Sequence, residues 1–174
     1  MKFLLLLLLP LAGFPQVKLE KISLLDNKVE ILAPKKLSPM SNEQWAIKYG
    51  ATKRPFLALS DENLEVNLLA DLVGKGADDS QMVAYKDFRM QHLAKSRTDV
   101  KFLENGLKTV NGKKVGYFKF SSNSTDRKIF NYYFFITADG NMLFFTFNCP
   151  DDLRKSWEKT ADEMVESLKV NPQP

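Results

Sequence analysis

The alternation of apolar and polar residues in the second half of the chain predicts two β-hairpins. The strand-like runs are residues 101–110, 115–120, 129–136 and 142–147. Asn111-Gly112 joins the first pair and Asp139-Gly140 the second. Dipeptides of this kind favour the tight turns between antiparallel strands, so each pair of runs should form a hairpin.

The second of these hairpins is unusually aromatic. Eight of the chain's twenty aromatic residues lie between Phe130 and Phe147. Successive residues of a strand point to opposite faces of the sheet, and these aromatic residues fall at both odd and even positions, so they lie on both faces. Both faces of these strands must therefore be covered.

Two segments earlier in the chain predict helices. Ser41 and Gln44 form a capping box before a short helix that Gly50 ends. A second helix is expected at residues 79–94, where Asp78-Asp79 suit a helix N-terminus. Its expected apolar face consists of Met82, Tyr85, Phe88 and Leu93, and its expected polar face of Lys86, Arg89 and Lys95.

A third helix is expected at residues 151–169. Apolar residues recur there at helical spacing, namely Leu153, Trp157, Ala161, Met164 and Leu168. Such a stripe should hold the helix against the sheet.

The remaining pattern completes an α+β domain over residues 17–174. Further hairpins are expected at residues 21–32 and 56–70, and Gly74-Lys75-Gly76 should break the chain after them. The predicted architecture is a mostly antiparallel sheet of seven or eight strands flanked by helices on both faces, an αβα sandwich.

The N-terminus is typical of a secretory signal peptide. Lys2 precedes the apolar run of residues 3–9, and a short segment with Pro and Gly follows. The run is shorter than the ~20 residues that a membrane-spanning helix needs. We expect residues 1–16 to be removed, although Gly13 is the better residue before a cleavage site than Pro15. No Cys follows the run for lipid attachment, so the product is expected in the periplasm or secreted.

Composition and charge narrow the range of functions. The 174 residues include 44% hydrophobic and 26% charged residues, which is typical of a globular protein. The net charge is +4, or about +3 without Lys2 (+4 minus +1), and the basic residues are scattered among acidic ones. This distribution argues against nucleic-acid binding. A single Cys forbids an internal disulfide, and one His with one Cys offers few ligands for zinc or iron. No cofactor is predicted.

Two residues are candidates for reactivity. Cys149 precedes Pro150 at a helix start, where the helix dipole can favour a thiolate. The alternative is that Cys149 fills the N-cap position before Pro at the first helical position. His92 has no partner in a recognisable motif and is expected at the edge of the second helix.

Three stretches resemble the PsbP-like and DcrB-like group of exported proteins. They are GKKVGYFKF at 112–120, IFNYYFF at 129–135 and FFTFNCPD at 144–151. In that pattern a Gly-containing hairpin leads to an aromatic hairpin and then to a closing helix. The resemblance implies an αβα sandwich used as an adaptor or accessory module, over about residues 17–170. The family shares no catalytic residues, so it assigns none here.

The leading hypothesis is an exported, non-enzymatic binding module that docks onto an envelope protein. Its docking surface would include Trp45 and Tyr49, or alternatively the basic turn at Lys113-Lys114. A second hypothesis is a small-ligand carrier or enzyme with its site in a cleft between sheet and helix. A third is a self-associating structural component.

Overall fold

The computed structural model describes residues 17–75 and 78–171, so the predicted signal peptide lies outside the described residues. The strands are β1 Leu19–Leu24, β2 Val29–Pro34, β3 Ser38–Pro39, β4 Leu57–Ser60, β5 Asn67–Lys75, β6 Lys101–Val110, β7 Lys113–Asn123, β8 Lys128–Ala138, β9 Asn141–Pro150 and β10 Lys169–Val170. The α-helices are α1 Asn42–Tyr49, α2 Met82–Ser96 and α3 Arg154–Glu166. Short 3-10 turns at Asp79–Gln81 and Asp151–Leu153 lead into α2 and α3.

Seven strands form one antiparallel sheet in the order β3-β4-β5-β9-β8-β7-β6. The predicted α+β class, antiparallel sheet and helical layers are thus confirmed. The first hairpin, β1 with β2, stays outside this sheet and pairs instead with β10 in a separate three-stranded sheet.

Both faces of the central strands are buried, as their aromatic pattern predicts. On the face covered by α3 and the small sheet, Phe134 and Phe145 stack with their centroids 4.8 Å apart. On the other face, Phe135 and Phe144 stack at 5.8 Å beneath α2. We call these the α3 face and the α1–α2 face. No helix within the described ranges is long and apolar enough to cross a membrane.

The predicted apolar stripe of α3 is confirmed, and an ion-pair network around a buried lysine adds to it. Trp157, Ala161 and Met164 are buried against the sheet. Lys119 of β7, whose side chain is 5% exposed, lies 3.1 Å from Glu104, 3.2 Å from Glu158 and 3.0 Å from Asp162. The first carboxylate belongs to β6 and the other two to α3, so one ammonium group joins the sheet to the helix.

The predicted faces of α2 are wrong at three positions. Phe88 is 60% exposed, whereas Lys86 is buried and the guanidinium of Arg89 lies over the Phe144 ring, 4.6 Å from its centroid. The Lys86 ammonium contacts Asp87 Oδ1 at 2.6 Å and Asn105 Oδ1 at 2.9 Å. Because α2 packs over β7, next to the edge strand β6, Asn105 of β6 provides a polar partner for Lys86, while Phe88 lies on the outer side.

Two predicted boundaries are also wrong. The third helix ends at Glu166, and Lys169–Val170 then pairs with β2, because the chain must return across the small sheet. Strand β5 extends past the predicted end at residue 70, through Gly74 to Lys75, with a register shift between Leu72 and Lys75; Gly76 lies outside the described residues. Gly74 has φ +91°, which a glycine adopts without strain.

Gly116 of β7 provides a test of this packing. A Cβ at Gly116 would lie 2.5 Å from Cζ of Phe135, a ring that is fully buried. We expect Gly116→Ala to lower the free energy of unfolding by about 1–3 kcal/mol, because the ring must move within a filled core. Denaturant unfolding of the purified protein measures this change.

Gly106→Ala is the matched control. Its Cβ would approach the hydroxyl end of Tyr117 at 3.1 Å, and that side chain is only half-buried, so it should cost less. Combining Gly116→Ala with Phe135→Leu should recover part of the loss. A Gly116→Ala protein as stable as the original would contradict the close packing.

Candidate functional site

Helices α1 and α2 cover opposite ends of the same sheet face and leave a groove between them. Trp45 of α1 packs with Met40, Ala58 and Leu69 at the β4–β5 end. Met82 of α2 packs with the aromatic side chains of β7, β8 and β9. The α1 boundaries match the prediction, since the Ser41 and Gln44 capping box is present and Gly50 ends the helix.

Two depressions follow one another along β9 in this groove. The first is a polar cleft of about 310 Å³, lined by Lys48, Tyr49, Glu65, Arg97, Ser122, Asn123, Ser124, Ile129, Asn131 and Asn148. The second, of about 220 Å³, includes Trp45, Leu69, Val73, Phe144 and Thr146 in its lining. Asn148 lines the first depression and Thr146 the second, and the two residues are neighbours on the same face of β9. The groove therefore has a polar end at Asn148 and a more apolar end beyond Thr146.

A row of amides and hydroxyls crosses five strands at the polar end. Ser60 donates to Asn67 Oδ1 at 2.8 Å, and Asn67 donates to Asn148 Oδ1 at 2.8 Å. Asn131, the direct cross-strand neighbour of Asn148, donates to Ser122 Oγ at 3.1 Å. Three of the five side chains are less than 6% exposed, namely Ser60, Asn67 and Ser122.

Main-chain carbonyls fix the orientation of these amides. Asn67 Nδ2 donates to Glu65 O at 3.1 Å, and Asn131 Nδ2 donates to Ile129 O at 3.2 Å. A carbonyl oxygen only accepts hydrogen bonds, so each contacting atom must be the amide nitrogen. Asn148 therefore receives the Asn67 bond on its oxygen and has its nitrogen left over, whereas Asn131 has its oxygen left over.

These two remaining atoms are open to the cleft. Within residues 17–75 and 78–171, Asn131 Oδ1 has no hydrogen-bond partner, and Asn148 Nδ2 has the Tyr49 hydroxyl beside it, which leaves one of its two N–H groups over. Neither belongs to the sealed polar atoms without a partner, which in the described chain are the hydroxyls of Tyr49, Tyr85 and Tyr132. The cleft thus presents one amide donor and one amide acceptor side by side.

Tyr49 forms the α1 wall beside this pair. Its ring stacks on Trp45 with centroids 4.3 Å apart. Burial raises the pKa of Tyr49 to about 12, although the neighbouring Asn148 amide acts in the opposite direction. The hydroxyl therefore keeps its proton at neutral pH, and it is sealed from the cleft.

The charged groups at the rim are paired with one another or with the main chain. Arg97 donates to Asp99 at 3.0 and 2.7 Å, and Arg127 lies 2.6 Å from Glu65. Lys48 donates to the carbonyl of Leu64. Burial lowers the pKa of Lys48, and the nearby carboxylates of Asp61 and Glu65 offset this only in part. The free hydrogen-bonding capacity of the cleft floor is therefore uncharged.

The residues singled out from the sequence do not all meet here. Tyr49 lines the polar cleft, and Trp45, which is 7% exposed, lines the second depression. Lys113 and Lys114 lie at the far end of β7 from Ser122, outside the groove. His92 is exposed on α2, with its ring 6.1 Å from that of Phe88.

The N-cap interpretation of Cys149 is wrong. Cys149 lies within β9, opposite Phe130, and the turn that follows begins after Pro150. Its side chain is fully buried on the α3 face, because Asn148 before it faces the groove. Burial raises the pKa of the thiol to about 12, with the nearby Asp151 and Asp152 acting in the same direction. Cys149 and His92 therefore lie on opposite sides of the sheet.

Reasoning from the sequence missed the amide row. Asn131 and Asn148 interrupt runs of aromatic residues, Phe-Asn-Tyr at 130–132 and Phe-Asn-Cys at 147–149. A polar residue at an inward position of a strand buried on both faces is the signal that could have identified them. Within the described residues, no group of three His, Cys, Asp or Glu side chains could hold a metal ion.

Comparisons with known proteins identify the fold. No family model and no curated protein matches the chain. The solved structure of PsbP (CyanoP) from the cyanobacterium Synechocystis sp. PCC 6803 superposes with a TM-score of 0.62 at 15% identity, covering 92% of this chain and 95% of that one.

Two further structures agree with this assignment. LpqN, involved in cell envelope biogenesis of Mycobacterium tuberculosis, has a TM-score of 0.58 at 14% identity and covers 90% of this chain and 92% of its own. The Ran-binding protein Mog1p of Saccharomyces cerevisiae has a TM-score of 0.57 at 12% identity, with 89% and 96% covered. The PsbP-like resemblance is thus confirmed for the fold.

The burial of Cys149 gives a prediction about its reactivity. At pH 8 the native protein should react with a thiol reagent far more slowly than the same protein unfolded in guanidinium, because the native thiol is buried and protonated. Absorbance of the released chromophore measures both rates. Rapid labelling of the native protein at the unfolded rate would contradict the assigned position of Cys149.

Proposed function

We propose that the protein is an exported, non-enzymatic accessory module that binds an envelope protein through the groove between α1 and α2. The observation that carries this proposal is the pair of cleft-facing amides, Asn148 Nδ2 and Asn131 Oδ1, in a sheet whose other central positions are mainly aromatic.

The cost of burying amides supports a binding role. A polar side chain placed in a core destabilises the fold unless its hydrogen-bonding groups find partners. Asn67 satisfies its own groups and holds Asn148 in place. The remaining N–H of Asn148 and the oxygen of Asn131 are free to pair with water or with a ligand that enters the cleft.

The chemistry of the cleft favours binding over catalysis. Amides and serine hydroxyls do not ionise near neutral pH, and burial raises the pKa of Tyr49 to about 12. Acid–base catalysis needs groups that titrate near the working pH. The groups on the floor of this cleft can recognise a ligand but are poorly suited to proton transfer.

The comparisons agree with an accessory or binding role. One structural neighbour is described as a Ran-binding protein and another as involved in cell envelope biogenesis. Such a fold is used here, we propose, outside the cytoplasm, because residues 1–16 have the composition of a signal peptide.

A small-ligand carrier is the second candidate, and the size of the cleft favours it. About 310 Å³ lies at the lower end of the range for small-molecule sites. The continuation of the groove into the apolar depression favours a longer occupant over a small molecule.

Site-specific photo-crosslinking tests the proposed surface. A photoreactive residue at Lys53 or Ser124, on the rims of the two depressions, should give an adduct with a single envelope protein in intact cells. The same residue at Lys114 or at Lys155 on α3 should give none. Adducts are detected by mass-resolved blotting.

Asn148→Asp in the Lys53 crosslinking variant should abolish the adduct, whereas the exposed Asn42→Asp, which makes the same charge change, should not. Adducts at Lys114 alone would contradict the groove, and adducts between two copies of the chain would support self-association instead. The same cells test export: recovery of the protein in the cytoplasm with Met1 retained would contradict it.

A further inference from the structure

We infer that the groove binds an extended polypeptide segment and that Asn131 and Asn148 recognise its main chain. This inference rests on the groove's role as the binding surface and specifies the chemistry of what enters it. The ligand is a stretch of about four residues in extended conformation, with an apolar side chain near the main-chain contact.

The spacing of the two amides fits one residue of an extended chain. Asn131 and Asn148 are directly paired across β8 and β9, so their Cβ atoms lie roughly 4.5–5.5 Å apart. The N–H and C=O of a single residue in an extended chain point to the same side. Asn131 Oδ1 can accept from that N–H while Asn148 Nδ2 donates to that C=O.

The orientation of each amide is set before the ligand arrives. Asn148 is held by Asn67, which is itself held by Ser60 and by the carbonyl of Glu65. Asn131 is held by Ser122 and by the carbonyl of Ile129. A donor and an acceptor fixed in this way lose little conformational freedom on binding.

The apolar depression provides the second contact. It lies next along β9, where Phe144 and Val73 flank Thr146 and Trp45 forms the α1 side. From Asn148 to Phe144 the strand spans roughly 13 Å, the length of about four extended residues. An apolar side chain in this depression would fix the direction of the segment.

The rim charges make a strongly charged segment a poor match. Arg97 and Arg127 are already paired with Asp99 and Glu65. A highly acidic or basic ligand would have to displace these partners. We therefore expect an uncharged segment with one bulky apolar residue.

Selection from a phage library of random dodecapeptides tests the inference on the purified protein. We expect enriched peptides that share an apolar residue and carry little charge. Asn148→Asp should weaken their binding by about tenfold or more, because it keeps the oxygen that accepts from Asn67 but replaces the cleft-facing donor with an acceptor. Asn42→Asp, whose oxygen accepts from Arg54 at 2.5 Å, is the matched control and should bind like the original.

A main-chain probe separates this recognition from side-chain binding and does not depend on any variant. Methylation of one main-chain nitrogen in an enriched peptide should weaken binding by about tenfold, whereas replacing the side chain of the same residue should have little effect. Binding that survives methylation at every position would overturn the inference. The absence of any enriched peptide would also overturn it.

The outcomes distinguish this inference from the broader proposal. A groove that crosslinks its partner in cells but enriches no peptide would overturn the extended-segment inference and leave the binding module standing. Peptide binding that depends on Asn148, without any adduct at Lys53 or Ser124 in cells, would support the binding of an extended segment. The same result would contradict the proposal that the groove binds an envelope protein.

Discussion

The two-sided burial of the β8–β9 hairpin is the constraint on which the rest of the structure depends. Phe134 and Phe145 face α3, whereas Phe135 and Phe144 face α2. Neither face can be left in water, since each exposes a continuous aromatic surface. The three-layer architecture follows, because α3 and the small sheet must cover one face while α1 and α2 cover the other.

The two faces are covered differently, and the difference creates the site. On the α3 face, one amphipathic helix, a small sheet and the Lys119 network close the core. On the other face, two separate helices leave part of β8 and β9 uncovered. The sequence places Asn131, Thr146 and Asn148 in this strip, where polar side chains can reach both each other and a ligand.

Local signals in the sequence were sufficient for most of the fold. The Asn111-Gly112 turn, the Ser41 capping box and the Trp157 stripe each depend on residues close in sequence. The errors occurred where distant residues decide the outcome. Asn105 accepts a hydrogen bond from the buried Lys86. Residues predicted to end the last helix instead form strand β10, because they pair with β2.

The candidate site was harder to predict for the same reason. Asn67, Asn131 and Asn148 lie on three strands that become neighbours only through the sheet order β5-β9-β8. Cys149 was a candidate because it precedes a helix in the sequence. The alternation of side chains along β9 instead places it in the core on the α3 face. The residue just before it, Asn148, faces the groove.

We propose that the amide row is maintained for recognition and not for folding. The free energy of unfolding of the double variant Asn67→Leu with Asn148→Leu tests this most directly, since both ends of one hydrogen bond are replaced by apolar groups of similar shape and the buried Ser60 hydroxyl can still donate to the Val66 carbonyl. We expect a value within about 1 kcal/mol of the original protein, because such paired replacements are often nearly neutral. A loss of more than about 3 kcal/mol would show that the row is required for folding, and would contradict the claim.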